Sequence, residues 1–80
     1  MPSHLQRPVK EEDLKVAIVK WYDERKGYGF AVTHDDSGDV MLSRHILRQC
    51  GIRNILPGDK LRITIEKTER GLLAEYIEYC

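Results

Sequence analysis

The stretch Lys20-Trp21-Tyr22 followed by Lys26-Gly27-Tyr28-Gly29-Phe30 decides how this chain is read. Two aromatic segments are separated by the charged run Asp23-Glu24-Arg25-Lys26, which closes on Gly27 and reads as a turn. Tyr28 and Phe30 stand two apart, so on a strand their rings project from one face together with Val32, while Gly29, Ala31 and Thr33 take the other. Lys20 and Lys26 flank the rings within reach of phosphate oxygens. Aromatic rings interleaved with lysine and glycine form a stacking platform for single-stranded nucleic acid, each base-on-ring contact being worth ~1–3 kcal/mol. The glycines are expected to leave the ring face open to a flat base. An alternative makes Tyr28 and Phe30 ordinary core residues. Against it, Val40, Leu42, Leu47, Leu61, Ile63, Ile65 and Ile77 already supply an aliphatic core.

Outward from this stretch the pattern stays that of short strands. Upstream, Leu14 to Tyr22 is rich in β-branched and aromatic residues, with an imperfect alternation that predicts a bend or bulge. Tyr28 to Thr33 is a second strand and Val40 to Ser43 a third, with Val40 and Leu42 on one face, Met41 and Ser43 on the other. Ser43 is placed to cap a helical turn over Arg44 to Cys50 that Gly51 stops. Lys60 to Lys67 alternates with Leu61, Ile63 and Ile65 inward, and Leu72 to Tyr79 is the last strand. Five short strands joined by glycine-bearing turns predict an all-β class, a small five-stranded antiparallel barrel with one short helical turn after the third strand.

Size and composition narrow the function. Eighty residues make one small domain, too short for a deep substrate cleft or a dinucleotide-binding repeat. Residues 1–13 are polar, contain Pro2 and Pro8 and show no period, so a flexible tail is expected ahead of a domain over 14–80. Cys50 and Cys80 make no disulfide framework, and no spacing of Cys or of His4, His34 and His45 forms a metal site. No nucleophile or acid/base pair stands out, so no catalytic residue, metal or cofactor is assigned and the chain is not read as an enzyme. Lacking a transmembrane or signal segment, it is expected to be cytosolic, without a membrane partner or a small-molecule substrate. The oligomeric state is left open, with a monomer as the default.

Taken in order, Lys-Trp-Tyr, Lys-Gly-Tyr-Gly-Phe, Asp39-Val40-Met41-Leu42, Pro57-Gly58-Asp59 and Arg70-Gly71-Leu72-Leu73-Ala74 resemble a bacterial cold-shock domain, in wording of the α-proteobacterial type. The resemblance runs from Lys15 to Tyr79. An RNA-recognition-motif domain places its similar strand late, after a long helix, whereas here that strand begins at residue 28. The resemblance implies an OB-fold barrel that binds single-stranded RNA or DNA through two ribonucleoprotein-like motifs. First-motif roles then fall on Lys20, Trp21, Lys26, Tyr28 and Phe30 with Tyr22 beside them, and Asp39 and Arg70 match positions that approach a base or the backbone.

The second motif departs from that pattern. Where the family reads Asp-Val-Phe-Val-His-Phe, this chain reads Asp39-Val40-Met41-Leu42-Ser43-Arg44, and a further aromatic after the helical turn is replaced by Ile52. Met41 offers a soft, polarisable surface, Arg44 a guanidinium plane for a base or a phosphate, and Ser43 little beyond a hydrogen bond. A loss of ~1 kcal/mol per missing ring lowers affinity tens-fold against a fully aromatic relative. The expected function is single-stranded nucleic-acid binding by stacking, in the manner of an RNA chaperone that regulates transcription or translation. The competing expectation is a degenerate fold that binds nucleic acid weakly and serves as a protein-interaction module.

The net charge of zero bears on both. Leu14 to His34 carries four basic against two acidic residues and Ser37 to Leu56 three against one, so each is +2. The motif-bearing segments are the basic ones. With little bulk attraction, stacking must supply more of the affinity, and the salt slope should reflect about two to four phosphate contacts at ~0.7 each.

Overall fold

The structure, a computed structural model, describes residues 11–35 and 38–80. The segment 1–10 and the pair 36–37 lie outside the described residues, and with them most of the expected tail; Glu11–Asp13 forms one 3-10 turn. Five strands follow: β1 Lys15–Asp23, β2 Tyr28–Thr33, β3 Asp39–Ser43, β4 Lys60–Thr68 and β5 Gly71–Tyr79, with helix α1, Arg44–Gln49, between β3 and β4. They close into a barrel in the order β1-β2-β3-β5-β4, with β4 returning to β1. Every pairing is antiparallel except the short β3–β5 contact, which is parallel and joins Val40 to Leu72 and Met41 to Leu73.

Alternation puts one side chain in two into the barrel. Val19, Val40, Leu42, Leu61, Ile63 and Ile77 are its largest fully buried side chains, each contributing about 1.5–3 kcal/mol of burial. Leu47 joins them from α1, and Ile65 packs half-buried at the margin. The expected bulge is present in β1. Val19 faces Ala31 and Trp21 faces Phe30, so Lys20 is the extra residue between them. The inserted residue reverses the pleat. Val19 is buried, Lys20 and Trp21 both lie outside, and Tyr22 turns back against the core.

Two turns fix the helix beside the barrel. Ser43 is extended and its hydroxyl accepts from the Ile46 N–H at 3.2 Å, the expected cap. At the other end Gly51, at φ +76°, lets its own N–H reach the Arg48 carbonyl and the Ile52 N–H reach the Leu47 carbonyl at 2.8 Å. This paired closure brings Ile52 onto Leu47, and both are buried. Ile52 is therefore a core residue, not a lost ring on the binding face. No helix among the described residues is long and apolar enough to cross a membrane.

Candidate nucleic-acid interface

Trp21, Tyr28 and Phe30 form one cluster on the outside of the barrel. Ring centroids are 5.6 Å apart for Trp21–Tyr28, 5.5 Å for Trp21–Phe30 and 6.2 Å for Tyr28–Phe30, with planes inclined by 64°, 60° and 88°. These are edge-to-face and tilted contacts, in which each ring is braced by the other two. None belongs to the core, and Trp21 remains 39% exposed. The reading of Tyr28 and Phe30 as core side chains falls with that placement. The β1 bulge is what assembles the cluster, because an unbroken alternation would have sent Trp21 inward.

The strand register extends the rings into a row. Trp21 faces Phe30, Phe30 faces Met41, and Met41 faces Leu73, one residue from each of β1, β2, β3 and β5. A second row sets exposed Ile18 opposite Val32 and Val32 opposite Asp39. Neither Ile18 nor Leu73 was singled out from sequence, since each joins the face only through cross-strand pairing. Lys20 and Asp39 meet across this surface, Nζ to Oδ2 at 3.4 Å, both exposed. Such a pair is worth little to stability and leaves the lysine available. Lys26 is exposed in the β1–β2 turn, and Arg70 is exposed in the β4–β5 turn, two residues before Leu72 pairs with Val40.

Three expectations need correction. Tyr22 is not on the ring face. It lies opposite Gly29, packs half-buried against the core and forms a wall of a groove beside α1. Arg44 is likewise elsewhere. Its guanidinium donates to the Glu24 carbonyl and lies over Gly27, while its own N–H donates to the Gly27 carbonyl at 2.9 Å. The third concerns Gly29, which is buried on the inner side and opens nothing. A Cβ built there would stand 2.2 Å from the Trp21 carbonyl oxygen and 2.6 Å from the Tyr22 Cα. Glycine at 29 is required by the close approach of β1 at its bulge. Gly27, at φ +80°, closes a turn in which the Asp23 carboxylate accepts from the Arg25 and Lys26 N–H groups at 2.9 and 3.1 Å.

Away from this face, β4 and β5 carry a polar network. The Tyr76 hydroxyl donates to Glu78 at 2.8 Å, and the Arg62 guanidinium pairs with the other carboxylate oxygen. The Tyr76 bond, with Arg62 adding, holds the Glu78 carboxyl below its ordinary value of 4.5; giving that same bond pushes the Tyr76 hydroxyl above 10.0. Among the described residues no cluster of His, Cys, Asp and Glu is arranged to hold a metal.

A closed five-stranded barrel, with a short helix after the third strand and rings across its first two strands, is an OB-type barrel with an aromatic outer face. No family model matches the chain. Curated relatives do. It is 32% identical over 60 residues to a cold shock-like protein of Thermotoga maritima, covering 75% of this chain and 89% of the relative. It is 34% identical over 58 residues to the cold shock-like protein CspG of Shewanella violacea, 71% and 81% of the two chains, and 30% identical over 61 residues to the major cold shock protein of Micrococcus luteus, 76% and 91%. The chain belongs to the cold-shock protein family, whose members bind nucleic acid and are not enzymes.

Proposed function

We propose that this protein binds single-stranded RNA or DNA by stacking bases on Trp21, Tyr28 and Phe30, and acts as an RNA chaperone that affects transcription or translation. The observation that carries the reading is the ring cluster itself: three mutually braced aromatic side chains outside a core that is complete without them. Stacked bases are available only in an unpaired strand, so each contact favours the melted form over a hairpin by ~1–3 kcal/mol. Met41, opposite Phe30, continues the apolar surface, while Lys20, Lys26 and Arg70 at the rim meet phosphates. Asp39, beside Lys20, is an acceptor for the exocyclic amino group of a base. No cofactor or energy source enters this mechanism.

The altered second motif favours a second reading, a cold-shock barrel that has lost strong nucleic-acid binding and serves as a protein-interaction module. In support of it, Ser43 is committed to capping α1 and Arg44 to the β1–β2 turn, so neither replaces a ring. One titration separates the two. Trp21 is the only tryptophan, and oligo-U or oligo-dT at low salt should quench its fluorescence and retard the protein in a gel. Neither effect at high micromolar strand would leave the interaction module standing.

A further inference from the structure

We propose that the groove between the β1–β2 turn and α1 is a phosphate subsite that takes the backbone of a single strand as it leaves the Tyr28 end of the ring face. The inference rests on the stacking reading above and lengthens its footprint. The groove has a volume of about 320 Å³ and is lined by Tyr22, Glu24, Arg25, Arg44 and Arg48. Its location follows from the register. Tyr28 faces Ser43, the next residue is Arg44, and Asp23 at the turn faces Tyr28 from the other side. The groove starts where the rings end.

The groove gathers cations that have no carboxylate partner; among the described residues Lys26, Arg53, Lys60, Lys67 and Arg70 also have none, but they do not line it. Lys15, Lys20 and Arg62 each meet a carboxylate, that of Asp35, Asp39 and Glu78 respectively. Among the described residues neither Arg25 nor Arg48 has an ion-pair partner, and both are exposed. From residue 40 to residue 58 the chain holds three arginines and a histidine and no Asp or Glu. Arg44 is bound through the backbone carbonyl of Glu24, which costs it no charge. All three groove cations are arginines, whose planar fork matches phosphate oxygens two at a time. The Glu24 carboxylate is the one opposing charge in the lining, and Tyr22 supplies an apolar wall.

The test uses the full chain and its Arg25→Gln/Arg48→Gln double variant, both sites being exposed and remote from the core. Binding of oligo-dT of about four and about eight nucleotides, a range an OB barrel covers, is followed by Trp21 quenching over a salt series. The expected result is a roughly tenfold loss for the longer strand in the double variant. Its salt slope should fall by about 1.4, two contacts at ~0.7 each, with the shorter strand unchanged. Glu24→Gln should tighten the longer strand a few-fold. Equal losses for both lengths, or no loss for either, would overturn the groove assignment while leaving the ring face intact. Inorganic phosphate moving the amide resonances of residues 24–27 and 44–48 as strongly as the longer strand does would also overturn it, making the groove a free-anion site. Failure of the unmodified chain to bind either length would remove the stacking reading itself, and the subsite with it.

Discussion

The two ribonucleoprotein-like segments lie on neighbouring strands and have been put to different uses. In β1 and β2, residues 20–30 spend their aromatic side chains on the outside: a bulge turns Trp21 outward and Gly29 lets β1 approach closely enough for Trp21 to meet Phe30. In β3 and the start of α1, residues 39–44 hold no aromatic side chain, and two of them serve the architecture: Ser43 caps the helix and Arg44 ties it to the β1–β2 turn. Only Met41 still faces the rings. A binding face can thus lose half its aromatic complement and keep its fold, because outward positions of a closed barrel carry little of its stability. On the stacking reading proposed above, the cost of the missing rings is affinity, and the anchoring contacts of Ser43 and Arg44 stand in their place.

Five substitutions probe that contrast, and a sixth tests a region outside it. The largest effect belongs to Gly29→Ala. Its methyl group would sit on the Trp21 carbonyl oxygen, backbone that cannot give way, and should cost about 3 kcal/mol in urea unfolding; an unchanged midpoint would mean the bulge is soft and the glycine dispensable. Phe30→Ala and Tyr28→Ala follow, each weakening strand binding by ~1–3 kcal/mol by fluorescence titration with the barrel still folded. Met41→Phe should move the other way and tighten binding by about 1 kcal/mol, since it restores a ring opposite Phe30; no gain would place the strand's path off β3. Ser43→Ala should lower stability by about 1 kcal/mol and leave affinity alone, the signature of a cap.

The smallest effect lies on the far side of the barrel. Because the folded-state pKa of Glu78 is depressed, its contribution to stability is fully present above about 4.5 and is lost as pH falls through the lower folded value. Glu78→Gln should therefore be less stable than the unmodified chain at neutral pH, with the gap between their urea midpoints closing in acid. Strand affinity should not change at any pH. A gap that persists in acid would assign the effect to packing.

Alternation placed Phe30 and Val32 outside and Leu61 and Ile63 inside, because period-two burial is written directly in strand sequence. The irregularity of Leu14 to Tyr22 announces a bulge, yet not which residue is inserted; the resemblance sets Tyr22 beside the ring residues, and only the register, with Lys20 as the extra residue, shows that Trp21 turns outward and Tyr22 inward. Ile52 looked like a missing aromatic until the Gly51 closure folded it under Leu47. The pattern around Gly29 suggests an open face, whereas only the path of β1 shows what a Cβ there would strike. The arginine groove was not legible at all, as Arg25 and Arg48 are 23 positions apart in the chain and meet only in the folded barrel.

The central claim is that the first segment's ring cluster, and not the rest of the barrel, receives a single strand. An amide chemical-shift map on adding oligo-U at low salt tests it most directly. The account predicts saturable shifts centred on Trp21, Tyr28, Phe30, Val32 and Met41, and quiet resonances at Arg62, Thr64 and Tyr76 on the outer face of β4 and β5. Shifts centred on β4 and β5, or none at high micromolar strand, would contradict it.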